Sequence, residues 1–145
     1  MSTNLFVYGL LQHPQVLQPL IGYVPKRAKA RLHNYTRRTM VHPDFEPCAV
    51  AVAEQGQWID GMILHDVTPR AVAEMDVFEC VPRGIYQRVS VQAEQECGAL
   101  HDCDVYLKGP SLLAGNLGDY WCQDHFNEKH MEYVLTELIP KYANY

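Results

Sequence analysis

Met75-Asp-Val-Phe-Glu79, then Pro82, then Tyr86-Gln-Arg-Val-Ser-Val91, is the stretch from which the rest of the chain can be placed. Thr68-Pro69 opens a helix, with the hydroxyl as N-cap and proline in the first turn. Ala71, Val72, Met75 and Phe78 then fall on one face, which must pack inward. The helix ends in the carboxylate of Glu79, and a β-prone run begins seven residues later at Tyr86. A carboxylate beside Phe78 and close to a strand rich in tyrosine and valine can sit half out of water. There its pKa rises and it can move a proton. The bland alternative is an exposed glutamate at a helix end.

Further strands flank this unit. Residues 4–8 form an apolar, β-prone run stopped by Gly9, whose simplest role is a tight turn. Residues 14–21 read as a short helix, with Pro14 at its first position and Gly22 just past its end. A second strand is expected over 28–35, where the basic run Lys26-Arg-Ala-Lys-Ala-Arg31 alternates as the solvent face of a strand does. His42-Pro-Asp-Phe-Glu-Pro47 is bracketed by prolines and reads as irregular. Residues 49–53 and 58–65 suggest a hairpin around Gln55-Gly-Gln57. Residues 86–92 and 103–107 read as two strands joined near Gly98, and 124–142 carry a helical pattern. Five to seven strands follow, most joined too tightly for parallel crossovers. The expectation is an α+β fold whose mainly antiparallel or mixed sheet closes into a small β-barrel.

The chain has 145 residues, 48% of them apolar, which is enough for one core and a single domain over 1–145. Its net charge of −5 argues against binding a phosphate backbone, so no nucleic-acid partner is expected. The first residues carry no basic region and no long apolar stretch, so neither a signal peptide nor a membrane span is expected. The five cysteines, at 48, 80, 97, 103 and 122, form no Cys-x-x-Cys pair and read as reduced thiols in the cytoplasm. Cys80, next to Glu79, is either a neighbour in its cleft or a small apolar filler. The seven histidines lack metal-binding spacing, and nucleophile elbows and phosphate loops are absent from the sequence. No metal or cofactor is expected. That leaves one carboxylate and no nucleophile of the protein's own, which suits a substrate carrying its own nucleophile.

Val7-Tyr-Gly-Leu-Leu11 resembles the Tyr-Gly-[Ser/Thr]-Leu signature at the end of the first strand in the γ-glutamylcyclotransferase-like (AIG2-like) family. Met75-Asp-Val-Phe-Glu79 with Tyr86-Gln-Arg-Val resembles that family's Leu-Asp-x-Phe-Glu…Tyr-x-Arg-x-x-Val, and its gap is closest to the γ-glutamylamine cyclotransferase branch. Asp104-Val-Tyr-Leu107 is similar to a later strand that places a tyrosine in the pocket, and 121–133 to the C-terminal helix of small members. The resemblance implies helices flanking the barrel, with the first-strand loop and Glu79 facing one pocket. It implies that Glu79 takes a proton from the α-amine of a γ-glutamyl group, which closes to 5-oxoproline, and returns it to the leaving amine. Gly9, Leu10 and Leu11 would offer backbone N–H groups to the substrate carboxylate. Tyr8 and Tyr106 would donate hydroxyl hydrogen bonds, with Tyr86 alongside. Leu10 departs from the Ser or Thr of the signature, removing a hydroxyl. Asp76, one turn before Glu79, reads as a surface or capping residue, and Arg88 as the partner of an acid. Tyr8 and Tyr106 also fit as core aromatics.

Three functions remain open: a cyclotransferase on a γ-glutamyl amine or peptide, a non-catalytic metabolite-binding or regulatory protein on the same fold, and another amide-handling enzyme releasing a γ-glutamyl protecting group. The expected partner is a small molecule, without membrane association, and the expected assembly is a monomer or weak homodimer.

Overall fold

A computed structural model describes residues 2–121 and 135–136. Six strands and two helices run in the order β1 (Thr3–Val7), α1 (Pro14–Ile21), β2 (Arg27–His42), β3 (Phe45–Val67), α2 (Pro69–Phe78), β4 (Tyr86–Gln95), β5 (Leu100–Lys108) and β6 (Leu117–Tyr120). Pairing runs β1–β3, β3–β2, β2–β4, β4–β5 and, in parallel, β5–β1, so five strands close a mixed barrel. β6 extends the sheet outside it along β2, with Arg38 opposite Tyr120.

Alternation along the strands divides the core in two. Phe6, Tyr8, Ala30, Leu32, Ala49, Ala51, Ile59, Ile63, Ala93, Cys103 and Val105 fill the lumen. Leu5, Val7, Val50 and Leu64 point the other way, onto Val16, Leu17 and Leu20 of α1 and Ala71, Val72, Met75 and Phe78 of α2. A five-stranded barrel has a narrow lumen, so alanines alternate with a few large side chains there. Gly61 shows how narrow: a Cβ at that position would collide with the Val7 carbonyl oxygen and stand 2.8 Å from the Phe6 ring.

The long strands depart from the sequence reading in two places. Residues 49–53 and 58–65 are not a hairpin but parts of the single strand β3, and both pair with β2 in the same sense. Between them the register slips, from His33 opposite Trp58 to Tyr35 opposite Ala53. Gly56 at φ 86° and Asn34 at φ 68° absorb the excess, and Asn34 Oδ1 accepts from the Gly56 N–H at 3.1 Å. A glycine between polar residues marks a bulge as readily as a turn. The true hairpin turns at Pro43-Asp44, within the stretch read as irregular. The prolines mislead because Pro43 sits in the turn itself and Pro47 close to a register shift, where a missing N–H is tolerated.

The other elements follow their sequence signals. Thr68 Oγ1 accepts from the Ala71 N–H at 3.2 Å and caps α2. Gly22, at φ 86°, ends α1. Gly98, at φ 88°, turns β4 into β5. The helix expected over 124–142 lies outside the described residues except for Leu135, which packs against the core beneath the helices, and Thr136. Among the described residues no helix is long and apolar enough to cross a membrane.

Because Gly61 lets β1 lie close against β3, Gly61→Ala should overpack the lumen and destabilise the fold by about 1–3 kcal/mol. Urea denaturation reads this directly. An unchanged midpoint would mean that β1 does not need the close approach.

Candidate active site

The site forms where the end of β1 meets the end of α2. After Val7 the chain makes a single 3-10 turn over Leu10–Gln12. The Gly9 carbonyl accepts from the Gln12 N–H at 3.1 Å, and the Leu10 carbonyl from the His13 N–H at 3.2 Å. The carbonyls are thus consumed within the turn, and its leading N–H groups have no partner inside it. Leu11 is buried among the helix-side residues and Leu10 packs against them, so both side chains serve the core. Gly9 runs beside Ala49, whose Cβ would lie 3.9 Å from one added there. Arg37, which the sequence reading passes over, donates from Nη1 to the Tyr8 carbonyl at 3.1 Å and so holds the start of the loop. Burial lowers its pKa.

Glu79 is the C-cap of α2, its N–H bonded to the Met75 carbonyl at 2.8 Å. Cys80 follows in a left-handed conformation (φ 55°), and its carbonyl accepts from the N–H groups of Arg83 and Ile85 at 3.1 and 3.3 Å. This tight loop turns the chain from α2 into β4 and leaves Glu79 half-buried, with its carboxyl drawn largely out of water. Among the described residues no hydrogen bond is made to that carboxyl. Burial, and secondarily the charge of Asp76, push it up to about 8. It interacts electrostatically with Tyr8, Cys48, Tyr86 and Tyr106, so the glutamate and all three candidate tyrosines share one locality.

The tyrosine hydroxyls are not free donors. Tyr8 donates to the Tyr106 carbonyl at 2.5 Å and accepts from the Ala51 N–H at 3.0 Å. Tyr86 donates to the Ala49 carbonyl at 2.7 Å and lies 3.2 Å from Cys48 Sγ. Tyr106 donates to Asp76 Oδ1 at 2.6 Å. Each hydroxyl proton is bonded within the protein. What the three present is lone pairs, which suit a ligand that is itself a donor. Burial, then the Asp76 hydrogen bond, raise the Tyr106 pKa, and burial pushes the Cys48 thiol up to about 12, so neither readily ionises. Cys80 packs against the helix-side core as a small apolar group.

Asp76 is not the surface residue that its sequence position suggests. Arg88 reaches it from β4 through Nε at 3.0 Å and Nη2 at 3.3 Å, and reaches Asp104 through Nη1 at 2.6 Å. Its spacing of three from Glu79 is the one clue in the sequence. The partners that matter are 12 and 30 residues away. A separate groove of about 620 Å³, lined by Lys29, Arg31, Asp60 and Glu94 among others, includes none of these residues. A buried, uncompensated carboxyl is a better guide to a reactive centre than the volume of that groove.

The sequence profile described as "Gamma-glutamyl cyclotransferase, AIG2-like" matches residues 5–123. The chain belongs to this family. It is similar to a protein of Methanocaldococcus jannaschii named as a γ-glutamylcyclotransferase and putative RNase, at 30% identity over 105 residues. That match covers 72% of this chain and 46% of the relative, so the chain spans less than half of that protein's length. Among solved structures, one titled "Gamma-glutamyl cyclotransferase" superposes with a TM-score of 0.71 at 13% identity, covering 99% of both chains. An Arabidopsis thaliana protein solved in solution gives 0.66 at 22% identity, covering 92% of this chain and 87% of the other. These likenesses establish the γ-glutamylcyclotransferase-like fold.

A carboxyl held protonated by burial favours the native state until pH forces it to ionise. Its native pKa of about 8 exceeds the ordinary value of 4.5, so folding takes up a proton between these limits. Stability should therefore fall as pH rises from about 5 to 8, by up to about 5 kcal/mol from this group. Glu79→Gln should be spared this loss, so the gap between variant and native protein should widen with pH. Urea unfolding at pH 5, 6.5 and 8 measures it, and parallel curves would show that Glu79 ionises normally.

Proposed function

We propose that the chain is a γ-glutamyl cyclotransferase in which Glu79 acts first as general base and then as general acid. The observation that carries this reading is the half-buried Glu79 carboxyl at the end of α2 beside Asp76, raised to about 8, in a chain of this family. A carboxylate of that basicity accepts a proton far more readily than an ordinary glutamate, and gives it back near neutral pH.

In the proposed reaction, the α-amine of a γ-glutamyl group attacks its own γ-carbonyl carbon. A C–N bond forms, and the proton lost from the amine passes to the ionised Glu79 carboxylate. The tetrahedral intermediate then collapses, breaking the bond to the leaving nitrogen, which takes the same proton from Glu79. The products are 5-oxoproline and a free amine, and Glu79 is again ionised. The protein needs no covalent intermediate, because the substrate brings both nucleophile and electrophile into one five-membered ring.

The Gly9, Leu10 and Leu11 backbone N–H groups would receive the α-carboxylate, and Leu10 would contribute no side-chain contact. The oxygens of Tyr8, Tyr86 and Tyr106 would accept from the substrate's amine side. No metal or cofactor enters the scheme. The substrate is a γ-glutamyl amine or peptide.

The test is incubation with a panel of γ-glutamyl amines and dipeptides, with 5-oxoproline as the readout. The native chain should release it, and Glu79→Gln should lose about 10²–10⁴-fold in kcat. Release by the variant at the native rate would remove Glu79 from the chemistry. No product from a folded native chain, with panel members still binding, would favour a metabolite-binding protein on this fold.

A further inference from the structure

We propose that Asp76 is a positioning residue for Glu79: an anion locked one helical turn ahead of it by Arg88 and Tyr106, which makes Glu79 the carboxyl of the pair that carries the proton. The proposal rests on the catalytic reading of Glu79 for its meaning, though its first test does not.

The geometry sets two carboxyls on one helix face at a spacing of three and treats them oppositely. Asp76 receives two hydrogen bonds from the Arg88 guanidinium, at 3.0 and 3.3 Å, and one from the Tyr106 hydroxyl at 2.6 Å. Such charge-assisted bonds favour an ionised acceptor. Glu79 receives none among the described residues. Among the described residues, the groups that interact with Glu79 are Asp76 from its own helix, Tyr8 from the end of β1, Cys48 from β3, Tyr86 from β4 and Tyr106 from β5, and none of these is a cation. When two carboxyls share a site, the one with fewer donors takes the proton.

Arg88 does not cancel the anion it holds, because its remaining arm pairs with Asp104 at 2.6 Å, which also accepts from Ser90 at 3.2 Å. One guanidinium between two carboxylates leaves a net negative charge beside Glu79. Tyr106 links this arrangement to the barrel, since its hydroxyl binds Asp76 while its carbonyl accepts from Tyr8. The charge on Asp76 is thereby held at a fixed distance from the reacting carboxyl.

The experiment is a carboxyl-carbon NMR titration of protein labelled with ¹³C-glutamate, with the Glu79 signal identified by its absence in Glu79→Gln. The native midpoint is expected near 8. Asp76→Asn should lower it by about one unit, and Arg88→Gln, which strips the counter-charge from Asp76, should raise it. Opposite directions are the signature, because a purely structural role would let water into the site in both variants and lower both midpoints. Should Asp76→Asn fail to fold, Asp104→Asn keeps Asp76 in place and gives it all of Arg88, and should lower the midpoint by less. Midpoints that stay put, or that all fall, would overturn the proposal. Where 5-oxoproline is formed, the acid limb of the kcat/KM profile should move with each midpoint. Absence of product would count against the catalytic reading of Glu79, while the direction of each midpoint shift would still decide whether Asp76 sets its proton affinity.

Discussion

The Tyr8 hydroxyl accepts from β3 and donates to β5, through the Ala51 N–H and the Tyr106 carbonyl, inside a packed lumen where nothing stands ready to replace either bond. β3 and β5 meet directly only where Ala51 lies opposite Leu107. A side chain from the end of β1 thus bridges the two strands where their own ladder is thinnest. Losing the hydroxyl would remove one buried bond to each strand at once, the costly way to lose a hydrogen bond. The same bond fixes where β1 ends. Beyond Tyr8 the chain has no strand partner left, and Gly9 carries it into the turn over Leu10–Gln12. Architecture and site therefore share one residue, and its proton belongs to the architecture.

That division recurs among the tyrosines. In sequence, Tyr8, Tyr86 and Tyr106 could equally be core aromatics or ligand contacts, because a phenol is both apolar body and polar tip. The structure places all three around Glu79 and also commits all three protons elsewhere. Hydroxyls whose protons are committed, beside one basic carboxyl, are poor at holding an anion but well suited to an amine. In the proposed reaction, recognition of the substrate carboxylate would fall to the backbone of the first-strand loop, where a leucine at position 10 in place of Ser or Thr costs no contact.

Legibility follows the range of the interactions. α2 is readable because its cap, its proline and its apolar face all lie within about ten residues, and Glu79 is readable because it ends that helix. β3 is not, because the slip that makes Gly56 a bulge is defined by its pairing with Asn34, which no local pattern encodes. Asp76 escapes a local reading for the same reason. Its neighbours in sequence are those of a surface residue, and only the closure of β4 onto β5 brings Arg88 and Tyr106 to it. Strand existence and the sense of the fold are local facts. Register and the electrostatic partners of the site are not.

The position of Glu79 is an unfavourable one for a charge on three counts. Its carboxyl is largely out of water, it follows another carboxylate by one turn, and it stands at the C-terminal end of a helix, where backbone carbonyls already present partial negative charge. A glutamate there is a poor choice for stability, and glutamine would satisfy the same volume without the burden. Nor does any hydrogen bond among the described residues offset it. Natural sequences break local rules of this kind chiefly where function requires it. The three effects push in one direction, toward a carboxyl that holds its proton near neutrality and yields a strong base once it ionises. A group that must both take a proton from an amine and return one to a departing nitrogen needs that intermediate basicity, which an exposed helix-end glutamate would not have.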